Sequence, residues 1–349
     1  MDNVVKTRLQ SVQFGEAQTY KNITILPLIA PADGTFQYRT LGEALATWDI
    51  AITEVSAAGS VPDLMVVNRA NKPVLLIDGE ELAGAKQNRV LNTSILIKEV
   101  SETKIPVSCT EQGRWSYASQ AFAESGNVMA YKSRSRKTRS VHESLQSCGA
   151  PVSNQGEVWN GIAELQVKAC CTSPTSAMSD VYKARDEDLR QCDETFKPVA
   201  NQIGLLAFIG GKPAGVELVS LISAYAKLHP KLVRSYALEA LIESRPSPAG
   251  AGQGGTPAPG EGKSGASAVS LEPSIPAQAH AFLAEIVAAD ERQFPSVGHG
   301  TDYRYKARAL AGTALVHEKE VVHAAFFRLE ETGQPVQLAP LRRRRQYRE

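Results

Sequence analysis

Residues 73–115 read PVLLIDGEELAGAKQNRVLNTSILIKEVSETKIPVSCTEQGRW, and the apolar runs in this segment lead directly into clusters of ionisable and amide side chains. The run at 74–77 leads into DGEE, and the run at 105–109 leads into TEQGRW. Polar groups at the ends of buried strands need a ligand or a hydrogen-bond network to satisfy them. The segment therefore predicts a β-rich core with a candidate site at its strand ends.

Short β-rich runs bounded by turn residues extend through the first third of the chain. They lie at 23–29, 50–55, 64–68, 74–77, 94–100 and 105–109. One interruption, TLGEALATW at 40–48, has a threonine three residues before Glu43 and predicts a short helix with a capping box. We expect a mostly antiparallel sheet or sandwich in this part.

Helical periodicity begins at about residue 155. The predicted elements are helices at about 155–170, 177–196, 216–228 and 231–244, a strand at 202–209, a helix at 277–292 and antiparallel strands through residue 329. Residues 246–276 are rich in Gly, Ala, Ser and Pro, and burial cannot offset the entropy of ordering them. This stretch is predicted to be a flexible insertion.

The predicted fold class is α+β, with one domain at 1–330 and a disordered basic tail at 331–349. The parts of the domain are a β-rich part (1–116), a helical layer (117–245), the flexible Gly/Ala/Pro insertion (246–276) and a helix plus β-meander (277–330). The insertion is placed inside the domain because the roughly 60 residues after it are few for an independent core.

The composition indicates a globular protein, with 43% hydrophobic and 21% charged residues among 349. The net charge of +1 excludes a global attraction to nucleic acid or anionic membrane. Basic runs at 134–139 and 342–345 are interpreted as a solvated loop and a frayed tail, so nucleic acid is not an expected partner apart from the tail. The oligomeric state stays open.

Five cysteines without a C-x-x-C pair indicate neither a disulfide framework nor a zinc module, and a reducing compartment fits them best. The N-terminus has no apolar core of signal-peptide length, and no stretch reaches the roughly 18 apolar residues of a membrane span. A cytoplasmic location without a membrane partner is expected.

Arg89 and Arg114 are the predicted anion-binding residues, because a planar guanidinium pairs with phosphate or carboxylate through two hydrogen bonds. Glu80, Glu81 and Glu111 are candidate catalytic residues, because two carboxyl groups in unlike environments can act as acid and base. The alternative is structural: the arginines and carboxylates would pair with each other at adjacent strand ends or cap neighbouring amides.

Gln87, Asn88 and Gln202 offer amide groups that suit a sugar or a base edge, and Trp115 could stack on either. Turn and core roles compete equally for these residues.

His299 and Arg304, in a loop and strand near the C-terminus, are further candidates for ligand contact. His299, His317 and His323 have no spacing typical of metal ligands. No metal site and no cofactor are predicted.

The motifs GEELAGAKQNR, CTEQGRW, SPTSAM, NQIGLLAFIGGKPAGVEL, RSYALEAL and VGHGTDYRYKARALAGTALVHEKEVVHAAFF occur in this order. Together they resemble the ADP-ribosylglycohydrolase- and rhodanese-phosphatase-associated protein domain, a domain of unknown function, over about residues 5–330. The resemblance implies an association with enzymes that handle ADP-ribose and phosphate esters, which is not itself a reaction.

The expected function is binding or processing of a small phosphorylated or nucleotide-derived sugar, ADP-ribose or an NAD-related compound being the example that the resemblance implies. The expected partner is a small anionic or sugar-phosphate ligand. The alternative is a non-catalytic interaction module in which the arginine–glutamate clusters only hold the strand ends together. Convergence of these side chains in one open pocket would favour the first function.

Overall fold

The computed structural model describes residues 1–244 and 273–330. The helices are α1 (Asn3–Ser11), α2 (Leu41–Ala46), α3 (Tyr131–Cys148), α4 (Gln155–Ala169), α5 (Met178–Ala184), α6 (Asp186–Thr195), α7 (Ile222–Glu243) and α8 (Ile275–Val287). The strands are β1 (Gln13–Phe14), β2 (Gln18–Tyr20), β3 (Ile23–Ile29), β4 (Arg39–Thr40), β5 (Ile50–Glu54), β6 (Asp63–Asn68), β7 (Val74–Leu76), β8 (Glu80–Gly84), β9 (Arg89–Leu91), β10 (Ile95–Ile97), β11 (Ser101–Cys109), β12 (Phe122–Val128), β13 (Gln202–Ile209), β14 (Lys212–Val219), β15 (Asp290–Pro295), β16 (Thr301–Ala307), β17 (Leu310–His317) and β18 (Glu320–Arg328). The fold is α+β with antiparallel sheets, as predicted.

The largest sheet has the strand order β1-β3-β13-β14-β18-β17-β16-β15, with β2 also paired to β3. Because successive residues of a strand face opposite sides, β13 sends Leu205 and Ala207 into one apolar cluster and Leu206 and Phe208 into another. Both faces of the sheet are therefore covered, which explains why β13 is a continuous apolar run.

Helices α1 and α8 cover one face of this sheet. Val5 and Leu9 of α1, and Phe282 and Ile286 of α8, are buried in the same apolar cluster as the sheet residues. Their spacing of four residues places each pair on a single helix face.

The opposite face carries α7, α3 and a second β layer. Tyr225, Leu228, Leu232 and Tyr236 of α7 recur every three or four residues and are buried against the sheet.

The second layer contains a six-stranded sheet, β12-β8-β9-β11-β6-β5, and a three-stranded sheet, β10-β7-β4. Leu82 and Leu91 of the first sheet, Leu76 and Ile95 of the second, and Leu41 of α2 share an apolar cluster. Residues 73–115 supply β7 to β11, so this segment forms the centre of the layer.

The predicted boundaries need several corrections. The prediction missed α1, and the stretch 117–245 contains β12 and β14 in addition to helices and the predicted strand β13. Residues 216–219 belong to β14, and α7 is one helix that runs through Pro230. The helix predicted to extend to residue 292 ends at Val287, and β15 begins at Asp290. Short apolar stretches suit a helix or a strand equally, so only the tertiary partners decide them.

Most of the predicted insertion, 246–276, and the whole predicted tail, 331–349, lie outside the described residues. The described end of the insertion already includes the first turn of α8, from Ile275. Within residues 1–244 and 273–330, no helix combines the length and apolar character that crossing a membrane requires.

Candidate functional site

The two polar clusters of residues 73–115 lie side by side after β8 and after β11. The Asn88 amide donates a 3.1 Å hydrogen bond to Oε2 of Glu111, and Nε2 of Gln87 donates a 2.8 Å bond to the carbonyl oxygen of Arg114. The Ser116 amide donates to the Lys86 carbonyl oxygen at 3.1 Å. The structure therefore brings the 86–88 turn, which follows the GEEL motif, against the EQGRW motif.

Both terminal nitrogen atoms of the Arg114 guanidinium are bonded to other groups of the protein. Its nitrogen atoms contact three backbone carbonyl oxygens and two side-chain oxygens, which belong to Gly84, Ala85, Ser116, Asn88 and Glu111. The shortest of these contacts is the 2.6 Å ion pair with Glu111. This geometry favours the structural role left open for Arg114, and its role in ligand binding stays a prediction.

Glu81 is completely buried at the start of β8. The Thr110 hydroxyl donates a 2.9 Å hydrogen bond to Oε1, and within the described residues Oε2 has no hydrogen-bond partner of good geometry. Burial raises the pKa of Glu81 to about 7, while the side chains of Thr110, Ser125 and Asn127 lower it and the charge of Glu111 raises it further. Glu81 is thus poised to exchange a proton near neutral pH.

A β-bulge places Ser125 and Asn127 against Glu81. The pairing of β12 with β8 shifts register between Glu124 and Val128, so three residues of β12 lie opposite the single residue Glu81. Bulges redirect side chains and are frequent beside active sites. Here the bulge brings a hydroxyl and a carboxamide to the carboxyl group.

An open cleft of about 640 Å³ lies over this bulge. Its wall includes neutral polar side chains from the 86–88 turn, from the bulge, from α5 and from the segment before α5: Asn88, Ser125, Asn127, Thr175, Ser179 and Tyr182. The charged lining residues are Glu111, Arg114, Asp180, Lys183, Asp186 and Arg234. We call this space the Glu81 cleft. It has the size of a small-molecule site, with many hydrogen-bonding groups.

The pKa of Glu111, on the wall of the cleft, is shifted in the opposite direction to that of Glu81. Burial disfavours its charge, but hydrogen bonds from Arg114, the Asn88 amide and Thr175, together with the charge of Arg114, hold its pKa below the usual value. Glu81 and Glu111 are therefore a carboxyl pair whose environments push their pKa values apart, the pattern expected of an acid and an anionic partner.

Glu80 faces away from this pair. It is buried in an ion cluster with Lys231, which also contacts Glu124, and burial raises the pKa of Glu80. Lys231 is held between two carboxylates, so the arrangement suits a structural role. The catalytic role predicted for Glu80 stays a prediction.

Arg89 and Trp115 lie on the other side of the 111–118 segment. Arg114 and Ala118 line the cleft, whereas Trp115 lies over Lys86 and Arg89, at 5.2 Å and 5.6 Å from ring centroid to cation. Arg89 is completely buried and donates to the side chain of Gln87 and to the Ser60 carbonyl oxygen.

Three predicted ligand residues lie elsewhere in the fold. Gln202 is buried and bonded to the Tyr225 hydroxyl at 2.9 Å. His299 is bonded to Glu99 at 2.9 Å, and the buried Arg304 pairs with Asp302 at 2.7 Å. The structure does not bring Gln202, His299 or Arg304 into the Glu81 cleft.

A buried ion cluster between the layers was not predicted from the sequence. Arg134 pairs with Glu217 at 2.5 Å and with Asp78 at 3.4 Å, and Lys137 also pairs with Asp78. The interpretation of 134–139 as a solvated loop is wrong, because α3 buries Arg134 and Lys137 completely. Their spacing of three residues, which places both on one helix face, was the available signal.

The lining of the cleft by the bulge and by α5 was also missed, because a bulge leaves no periodic pattern.

Among the residues that the structure describes, no three or more His, Cys, Asp or Glu side chains are grouped to hold a metal ion.

Residues 11–327 match the family of the ARG and Rhodanese-Phosphatase-superfamily-associated Protein domain. The match covers most of the 349 residues, and the chain belongs to this family. No curated protein and no solved structure matches the chain. The family description names associations and no reaction, so the chemistry must be argued from the site.

Proposed function

We propose that the Glu81 cleft binds a small sugar-derived ligand and that Glu81 exchanges a proton with it. The observation that carries the proposal is a buried carboxyl group with a pKa of about 7 behind a cleft rich in hydroxyl and amide groups. Such groups match the hydroxyls of a sugar, and a pKa near the working pH suits a general acid or base.

The reaction we propose is hydrolysis of the bond between the anomeric carbon of the sugar and its leaving group. Protonated Glu81 supplies a proton to the leaving atom as that bond breaks. A water molecule then bonds to the anomeric carbon, and its proton returns to Glu81. Ionised Glu111 stabilises the positive charge that develops on the sugar ring.

Ser125 is the group through which Glu81 reaches the cleft. It lines the cleft, and its side chain also acts on the Glu81 carboxyl group. Its oxygen accepts a 3.1 Å bond from the Asn127 amide, which leaves the hydroxyl proton free to be donated. Ser125 would therefore relay the proton between Glu81 and the ligand.

ADP-ribose and NAD-related compounds belong to this proposal only as examples of substrates in which a leaving group is attached to a ribosyl ring. A cytoplasmic location is also part of it, and the five free thiols support a reducing compartment.

One observation favours the alternative, a non-catalytic module. The contacts among Arg114, Glu111, Asn88 and Gln87 are complete without a ligand, as expected of a network that holds strand ends together. The network explains Arg114 and Gln87. It does not account for the raised pKa of Glu81.

The test is release of reducing sugar from a panel of nucleosides, ribosyl esters and pyranosides by the wild type, Glu81→Gln, Ser125→Ala and Glu102→Gln. Glu102 is exposed on β11 and serves as the matched control. We expect Glu81→Gln to lower the rate by about 100-fold or more, and Ser125→Ala to lower it less. Equal rates for Glu81→Gln and wild type, or no release by the wild type, would favour the non-catalytic module.

A further inference from the structure

The Glu81 cleft is lined by equal numbers of acidic and basic residues. Three are acidic, Glu111, Asp180 and Asp186, and three are basic, Arg114, Lys183 and Arg234. Glu81 beneath them adds no positive charge in either protonation state, since its carboxyl group is neutral or negative. A ligand therefore meets a lining without an excess of positive charge.

Each basic side chain of the lining is already paired. Arg114 contacts Glu111 at 2.6 Å, and Lys183 contacts Asp180 at 3.4 Å while remaining largely exposed. In both cases the partner carboxylate is itself a lining residue of the cleft.

Arg234 is held by a carboxylate from outside the lining. Its Nε contacts both oxygens of Asp193, at 3.1 Å and 2.9 Å, and its Nη2 contacts Oδ2 at 2.5 Å. Its Nη1 lies 3.6 Å from Asp186. Asp193 on α6 thus occupies the fork of donors that a phosphate would need.

We infer that the Glu81 cleft takes an uncharged, hydroxyl-rich ring and excludes a phosphate group from its interior. This inference rests on the proposed function and specifies its ligand. A phosphate in the cleft would lose its hydration and would gain no free cation without breaking one of these pairs. The neutral side chains at Asn88, Ser125, Asn127 and Ser179 can instead bond to sugar hydroxyls without such a cost.

The ligand inferred for the cleft differs from the expected anionic or sugar-phosphate ligand in its lack of charge. A sugar phosphate or a nucleotide-derived sugar would enter by its ribosyl ring, with any phosphate outside the cleft. The Asp193–Arg234 pair is the specificity determinant: it stops Arg234 from acting as a phosphate ligand.

Calorimetric titration of the full chain with two matched pairs tests the inference: ribose against ribose 5-phosphate, and adenosine against adenosine 5′-monophosphate. We expect the neutral member of at least one pair to bind about tenfold or more tightly than its phosphate, a free-energy gap of about 1.4 kcal/mol. Tighter binding of the phosphates would overturn the inference and leave the proposed function standing. No binding of any of the four would overturn both.

Asp193→Asn supplies an independent test, because it releases Arg234. Glu194→Gln is the matched control, since it removes the same charge from an exposed position on the same helix. We expect Asp193→Asn to gain fivefold or more in affinity for ribose 5-phosphate, by about 1 kcal/mol, and Glu194→Gln to gain none. An equal change in both variants would show only a general charge effect and would overturn the role of the pair. If Asp193→Asn does not fold, the matched ligand pairs on the wild type decide.

Discussion

The Thr110 hydroxyl donates a 2.9 Å hydrogen bond to Oε1 of Glu81. The carboxyl group behind the cleft is therefore bonded to a neutral donor and not to a cation. A cation there would have kept Glu81 ionised. With a hydroxyl in its place, burial prevails and raises the pKa of Glu81 to about 7. Glu111, the residue after Thr110, forms an ion pair with Arg114, which favours its charged form and lowers its pKa. The partner of each carboxyl group, Thr110 for Glu81 and Arg114 for Glu111, thus determines the difference between their pKa values.

The first prediction concerns the pH dependence of stability. The pKa of Glu81 is raised from 4.5 to about 7, so the folded state holds this proton more tightly than the unfolded chain does. The stabilisation is complete below pH 4.5 and is lost as the pH rises through about 7. The free energy of unfolding of Glu81→Gln, relative to that of wild type, should therefore be higher at pH 8 than at pH 4.5, by on the order of 3 kcal/mol.

Urea unfolding of both proteins at pH 4.5, 6 and 8 measures this difference, with Glu102→Gln as the exposed control. A difference between Glu81→Gln and wild type that does not change with pH would show that Glu81 does not take up a proton on folding.

The second prediction concerns the buried ion cluster. Arg134→Met leaves Glu217 buried without its guanidinium partner, and we expect a loss of about 3–5 kcal/mol in the free energy of unfolding. Arg136→Met is the matched control, because Arg136 lies on the same helix and its pair with Glu164 is partly exposed. It should lose less than about 1 kcal/mol. Chemical denaturation compares the two variants, and equal losses would contradict the account of the cluster.

The third prediction concerns the turn between β7 and β8. Gly79 has φ +81°, and a Cβ there would lie 2.7 Å from Cδ of Arg134. Gly126, in the bulge, has φ +80° with no atom within 4 Å of such a Cβ. Both alanine variants carry the strain of a left-handed backbone, but only Gly79→Ala also displaces Arg134. Thermal melts should place Gly79→Ala well below Gly126→Ala, and similar midpoints would show that Arg134 moves aside freely.

The fourth prediction concerns Arg114. Arg114→Lys keeps the charge but cannot reach five acceptors from one ammonium group, so we expect it to lose about 1–3 kcal/mol of stability, and Arg114→Ala somewhat more. Urea denaturation measures both losses. If Arg114→Lys is as stable as wild type and instead loses affinity for an anion, the original prediction of ligand binding is correct and the structural role is wrong.

Much of the architecture could be predicted because period-2 runs and turn residues are local signals. Residues 73–115 predicted β7, β10 and β11, and Thr40 with Glu43 predicted the capping box that α2 has. Residues 216–219 were assigned to a helix because only their pairing with β18 makes them a strand. Local pattern cannot report such a long-range partner.

The candidate site was predicted in part for the same reason. The meeting of two strand ends placed Glu81, Asn88, Glu111 and Arg114 together, because adjacent antiparallel strands share an edge. The lining from β12 and α5 depends on a bulge and on helix docking, neither of which has a sequence period. Which carboxyl group keeps its proton depends on whether Thr110 or Arg114 faces it, and side-chain direction at strand ends is set by packing.

The most direct test of the central claim is a titration of the Glu81 carboxyl carbon by NMR in glutamate-labelled protein, with the resonance assigned by its absence from Glu81→Gln. We predict a midpoint near pH 7 that shifts when ribose or adenosine is added, because the ligand covers the cleft above this carboxyl group. A midpoint at or below the ordinary value of 4.5 would contradict the account, since Glu81 would then be ionised at neutral pH and could not donate the proton.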